Sequence, residues 1–107
     1  MKNEELKRKI LRLLSKKDYS EKEIIEKFPT ITPSILKKLK RQKFIDDFSL
    51  SQRIIEKLQN KGKGYYYILQ ELERRKIKKE IIEKLKKEYD FKKEFEICKK
   101  IVEKMKD

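Results

Sequence analysis

The chain has no histidine and no tryptophan, a single cysteine, and only two glycines and two prolines in 107 residues. Each scarcity removes a class of protein. Without histidine, the commonest general base and metal ligand is missing. Cys98 alone can neither close an intramolecular disulfide nor build a thiolate metal site, and it points to a reducing cytoplasm. So few glycines and prolines argue against an all-β fold with its many turns. No apolar run approaches the roughly 20 residues needed to span a membrane. The start, Met1 to Glu5, lacks the apolar stretch of a signal peptide.

What is abundant is charge. Charged residues make up 48% of the chain against 36% hydrophobic, so the apolar positions must be concentrated on narrow faces if the chain is to fold. The net charge is +13, which suits nucleic acid, an acidic membrane surface or an acidic protein partner. Residues 1–43 carry 14 basic and 6 acidic groups, most of the surplus.

The apolar faces recur in order. Ile10, Leu11 and Leu14 are followed by Ile24, Ile25 and Phe28, then by Ile35, Leu36 and Leu39. The set returns as Ile54, Ile55 and Leu58, then Ile68, Leu69 and Leu72, then Ile81, Ile82 and Leu85, and a further copy opens with Ile101, Val102 and Met105. A period of about 45 residues with three helical patches predicts an all-α, elongated array of tandem three-helix repeats. The expected units are residues 1–43, residues 44–90, and one helix of a third unit at 91–107. Superposed copies set Phe48 on Phe95, Ser51 on Cys98 and Ile54 on Ile101, which predicts a small-residue core position for Cys98.

Local signals mark the helices. Leu6, Ile10, Leu13 and Leu14 form one stripe of a first helix from about Asn3 to Lys16. Ser20 followed by Glu23 reads as a capping box for a second helix ending near Phe28, with Pro29 behind it. Thr32 and Pro33 open a third helix running to about Lys43. Asp46 or Asp47 caps a fourth helix reaching Asn60. Helices from Tyr65 to Arg75 and Lys78 to Glu88 follow, and Asp90 caps a last one from Phe91 to Lys106.

No catalytic constellation emerges, so no enzyme, metal or cofactor is expected. Lys61-Gly62-Lys63-Gly64 lacks phosphate-loop spacing and reads as a turn. Asp46 and Asp47, adjacent at a helix start, read as caps rather than a metal pair. Most lysines alternate with glutamates on solvated faces. The exception is Lys37, Lys38, Lys40, Arg41 and Lys43, a basic cluster with no acid in it, on a helix placed like the recognition helix of a DNA-binding unit. Within Tyr65-Tyr66-Tyr67, Tyr65 shares the apolar face, Tyr66 lies on its edge, and Tyr67 points elsewhere and is the candidate for stacking on a base. Arg53, Lys61 and Lys63 complete the candidate contacts with a partner or with DNA.

These motifs resemble the RecX family. Leu11 to Glu23, with Asp18, Tyr19 and Ser20 at its centre, looks like the opening of RecX proteins. Phe44-Ile45-Asp46-Asp47-Phe48 is similar to their tyrosine-leucine-aspartate-aspartate signature. The Gly62 and Gly64 segment, with Ile68, Glu71-Leu72 and Ile77, looks like their second repeat. The resemblance implies a non-enzymatic regulator, without cofactor, active in DNA repair, recombination and the SOS response. It would lie in the groove of the RecA filament on single-stranded DNA and inhibit strand exchange, ATP hydrolysis and co-protease activity. A cytoplasmic monomer is expected, with direct contact to single- or double-stranded DNA as a supplement. The alternative is a basic helix-turn-helix-like DNA-binding protein with no recombinase partner. Three positions depart from the family pattern. Lys43 and Lys76 replace glycines at helix ends, which predicts altered ends there. Tyr67 replaces a common arginine. The third repeat is one helix long.

Overall fold

The computed structural model describes residues 2–105, all of whose regular structure is helical: α1 (Lys2–Leu14), α2 (Glu21–Lys27), α3 (Pro33–Arg41), α4 (Asp47–Asn60), α5 (Tyr65–Arg74), α6 (Lys79–Glu88) and α7 (Phe91–Met105). The expected end of the last helix at Lys106 lies outside the described residues. The molecule measures 61 × 28 × 20 Å with a radius of gyration of 17.1 Å. A compact chain of this length would have a radius near 13 Å, so the protein is elongated.

The helix starts follow from their caps. Ser20 Oγ accepts the Glu23 amide at 3.2 Å while the Glu23 carboxylate accepts the Ser20 amide at 2.8 Å, a complete capping box. Thr32 Oγ1 accepts from the Ile35 amide, with Pro33 at the first helical position, where its missing N–H leaves nothing unpaired. Asp46 caps α4 through the Ser49 amide and hydroxyl, and Asp90 accepts the Lys93 amide of α7. Gly64 and Lys78, at the starts of α5 and α6, cap nothing with their side chains.

Three helix ends close alike. After α3, the Phe44 amide donates to the Leu39 carbonyl and the Lys43 amide to that of Lys40. After α4, Lys63 donates to Leu58 and Gly62 to Gln59; after α5, Ile77 donates to Leu72 and Lys76 to Glu73. This paired closure needs a left-handed residue. Gly62 supplies one at φ 81°, and Lys43 and Lys76 take φ 63° and 60°. The expectation that the two lysines alter their helix ends is therefore corrected. The backbone keeps the left-handed turn because the closure satisfies two carbonyls and turns Ile77 into the core.

The apolar residues form two separate cores. Ile10, Ile24, Ile35, Leu39 and Ile45 make the first, flanked by Leu6, Leu13, Leu14, Tyr19 and Phe28. Leu50, Ile54, Ile68, Leu72, Ile77, Ile82 and Leu85 make the second, flanked by Phe48, Ile55 and Leu58. Ile45, beyond the boundary expected at residue 44, belongs to the first core, so the backbone passes between cores at Asp46.

The seam between the cores is ionic. Four of the six acids in residues 1–43 meet cations from the second half. Asp18 pairs with Arg53 at 3.0 Å, Glu21 with Lys78 at 2.5 Å, Glu23 with Arg75 at 3.3 Å, and Glu26 with Lys76. Arg75 also donates to the Asp18 carbonyl at 2.7 Å. The short basic run Arg75 to Lys78 between α5 and α6 thus lies against the acidic face of α2.

Candidate nucleic-acid and partner interface

The ionic seam shapes the electrostatics of the rest of the surface. Because it engages the acids around α2, the basic residues of α3 are left without counter-charges. Lys37, Lys38 and Arg41 are exposed, one turn or less apart, and pair with no carboxylate among the described residues. α3 has no acid in its first turn and three basic residues in its last, so the cations also sit at the negative end of the helix dipole.

Lys40 must be separated from this group. The expectation of five uncompensated charges is corrected, since its ammonium meets the Glu21 carboxylate at 3.3 Å and is turned toward the seam. The cause is helical geometry: Lys40 follows Leu39, whose side chain is buried, on the side of α3 nearest α2. Lys43 extends the exposed basic edge from its left-handed position. It joins Arg53, Asp18, Tyr19 and Asp46 around a cleft of about 210 Å³ between the two halves of the molecule. Five sequence candidates thus converge there, although Arg53 is already paired with Asp18. The volume is below the roughly 300 Å³ of ordinary small-molecule sites.

A second basic and aromatic group surrounds the turn before α5. Lys61 and Lys63 are exposed, and the Lys63 ammonium sits 5.0 Å from the centre of the Tyr67 ring. Tyr67 is 49% exposed, so this lysine covers part of the face a base would use, while Tyr66 is 80% exposed. Tyr66 is therefore the freer aromatic, which corrects its expected place on the apolar edge. Two positions on from Gly64, it falls where the α5 wheel turns to solvent. Tyr65 lies inward as expected, edge-on to Tyr66 and Tyr89 and tilted against Phe91.

The aspartate pair divides its work. Asp46 caps its own helix, and the Ser49 amide that it accepts holds its carboxyl below the usual range. Asp47 instead reaches out of α4 and accepts the Glu21 amide at the start of α2, 2.9 Å away. The same contact occurs once more, where the Glu94 carboxylate of α7 accepts the Tyr65 amide at the start of α5 at 3.0 Å. Gly64 cannot cap α5, so Glu94 of α7, two helices further on, supplies the acceptor. Burial raises the Asp47 pKa, assisted by the neighbouring Glu21 carboxylate and opposed by the amide it accepts, and its second oxygen has no partner. Burial would raise Glu21 too, but Lys78 and Lys40 outweigh it and hold that carboxyl below its usual value.

Gly62 and Gly64 make room for α7. A methyl group at Gly62 would come within 2.5 Å of the Ile101 side chain, and one at Gly64 within 3.0 Å of Glu94. Cys98 is half-buried rather than enclosed, while its counterpart Ser51 is fully buried. Ile101 and Phe95 are exposed, unlike Ile54 and Phe48, because α7 packs on one side only. Among the described residues no cluster of histidine, cysteine or carboxylate side chains could hold a metal ion, and no helix is long and apolar enough to cross a membrane.

No protein-family model, no curated protein and no solved structure matches the chain.

Proposed function

We propose that the protein is a RecX-like regulator that binds the filament of a RecA-type recombinase on single-stranded DNA and restrains its recombinase, ATPase and co-protease activities. The observation carrying this reading is the pair of matching contacts, Asp47 to Glu21 and Glu94 to Tyr65. Of the residues on which the resemblance rests, Asp47 ties α4 to the start of α2, and Gly62 and Gly64 give α7 room at the start of α5. A rod 61 Å long with a surplus of positive charge suits a groove that runs along a nucleoprotein polymer. In such a groove, Lys37, Lys38, Arg41 and Lys43 would face phosphates or acidic side chains of the recombinase, while Tyr66 and Lys61 would make a second contact.

The deciding experiment measures ATP turnover by a RecA filament on single-stranded DNA as the protein is added. Turnover should fall at ratios well below one protein per recombinase. Unchanged turnover at stoichiometric excess defeats the proposal.

A second reading has its own support. The exposed cations of α3, a helix capped by Thr32, would suit a major-groove reader without a recombinase. Sequence-selective duplex binding at physiological salt, with no effect on the filament, would favour it.

A further inference from the structure

Phe44 is a large apolar side chain that the fold does not use. It is 48% exposed and belongs to neither apolar core. No aromatic ring and no ammonium lies against it among the described residues. The residue is nevertheless held in place. Its amide donates to the Leu39 carbonyl at 2.9 Å in the closure of α3, with the left-handed Lys43 before it and the buried Ile45 after it. Phe44 lines the cleft of about 210 Å³ between the two halves of the molecule.

The second unit shows what such a ring accepts. Phe91 stands at the equivalent position, since Phe48 falls on Phe95. Tyr65 and Tyr89 lie against it, with ring centres 5.0 and 4.8 Å away. In the first unit Tyr65 corresponds to Glu21. Tyr89, four residues after Leu85, corresponds to Lys43, four after Leu39. The first unit thus keeps the phenylalanine and lacks the two rings that pack on it.

We propose that the cleft takes one unstacked base of a single-stranded nucleic acid, with the base on the Phe44 ring and its phosphate on Lys43 and Arg53. The inference rests on the reading that the protein works on single-stranded DNA, but not on the recombinase. Charge selects this occupant over an aromatic side chain of a protein. Lys43 and Arg53 line the cleft, and the Lys17 and Lys27 ammoniums sit 5.4 and 5.5 Å from the centre of the Tyr19 ring, which also lines it. Against these four cations stand Asp18 and Asp46, and Asp46 is committed to Ser49. Arg53 is paired with Asp18, but both side chains are more than half exposed, so a phosphate takes the guanidinium at little cost.

Size and strain agree with this occupant. The cleft is too small for an ordinary small-molecule ligand but suits a single base. A lysine in the left-handed conformation costs stability relative to glycine. Lys76, in the same conformation, has Glu26 as its partner. Lys43 pairs with no carboxylate among the described residues, and its ammonium at the cleft gives the strained position a role.

Fluorescence anisotropy of a labelled oligothymidylate at low salt, without recombinase, tests this. The parent protein should bind the oligothymidylate more tightly than the same sugar–phosphate chain lacking bases. Phe44→Ala should weaken oligothymidylate binding roughly five- to hundredfold, the range expected for one lost stacked base. It should leave the abasic chain's binding and the urea midpoint unchanged, and Phe44→Tyr should retain the parent affinity. Lys43→Gly should weaken binding of both chains and lower the log-log salt slope by about 0.7. Because that substitution stabilises the fold, unfolding cannot account for the loss. Equal affinity of the parent for the two chains, or oligothymidylate binding indifferent to Phe44→Ala, overturns the proposal. Filament ATP turnover that responds to Phe44→Ala while oligothymidylate binding does not also overturns it, and assigns the cleft to a recombinase side chain. Turnover with the parent protein is scored separately, so either reading can fail while the other stands.

Discussion

The Arg75 guanidinium reaches back 52 positions to the Glu23 carboxylate, which at the same time accepts the Ser20 amide of its own helix cap. One carboxylate thus closes a helix and ties the two halves of the molecule together. Burial alone would raise the Glu23 pKa, but the Ser20 amide and Arg75 together hold it down.

The arginine is only 14% exposed and Glu23 19%, so this pair differs from the surface pairs around it. Arg75→Ala removes the cation beside Glu23 and the donor to the Asp18 carbonyl and should cost about 2 kcal/mol, read as a lower urea midpoint. Arg74→Ala, next to it, removes an exposed pair with Glu71 and should leave the urea midpoint nearly unchanged. Equal effects from the two would contradict a specific role for the seam.

Asp47 offers a test by substitution and by pH. Asp47→Ala removes the acceptor of the Glu21 amide and should cost about 1 kcal/mol, the usual value of a helix cap. Asp47→Asn keeps that acceptor and should stabilise the protein at pH 7, because the buried charge disappears. The sign follows from the raised pKa: above it the ionised Asp47 costs the fold stability, and below the usual carboxyl value, 3.8, the cost is gone. The gain from Asn should therefore shrink as the pH falls from 7 toward 4. Glu21 and Glu23, held below their usual values, act oppositely, and their contribution is lost only under more acid conditions. Thermal melts of the two variants at pH 4 and pH 7 separate these effects.

The left-handed lysines make the fold improvable. Lys43→Gly should raise stability by about 1 kcal/mol, since glycine adopts φ near 60° without the steric cost. Lys76→Gly should gain somewhat less, because Lys76 also pairs with Glu26 at the surface. Destabilisation by either substitution in urea would show that the backbone there is not as described.

Binding to single-stranded DNA or to its filament should depend on three cations. Replacing Lys37, Lys38 and Arg41 with glutamine should lower the salt dependence of DNA affinity by about two units of log-log slope, at roughly 0.7 per phosphate contact. Lys40→Gln should leave the slope nearly unchanged, since Lys40 serves the seam. Fluorescence anisotropy across a salt series gives both values.

These contrasts show what the sequence made legible. Helix ends came through because they depend on neighbours: Ser20 with Glu23, Thr32 with Pro33, and Asp90 before Phe91 all act within one turn. The apolar spacing likewise gave the faces of α1 to α6. What stayed hidden were contacts between residues far apart in the chain. Asp46 and Asp47 look interchangeable, and only the docking of α2 against α4 sends the second one to Glu21. Lys40 looks like its neighbours until Glu21 is placed beside it. Tyr66 is freer than Tyr67 because Lys63 lies over the Tyr67 ring, a contact that helical spacing alone does not give. The exposed face of α7 was missed because repeat spacing assigns Phe95 and Ile101 to a core but cannot say whether a neighbour fills it.

The cap supplied from two helices further on also gives the chain a direction of assembly. Glu21 waits for a residue 26 positions later and Tyr65 for one 29 positions later. During synthesis, the first amides of α2 and α5 therefore lack this acceptor until α4 and α7 have emerged. Each core can collapse early, but α2 and α5 are latched only when α4 and α7 arrive. The order of the chain is thus also the order in which the rod locks, from the amino end forward.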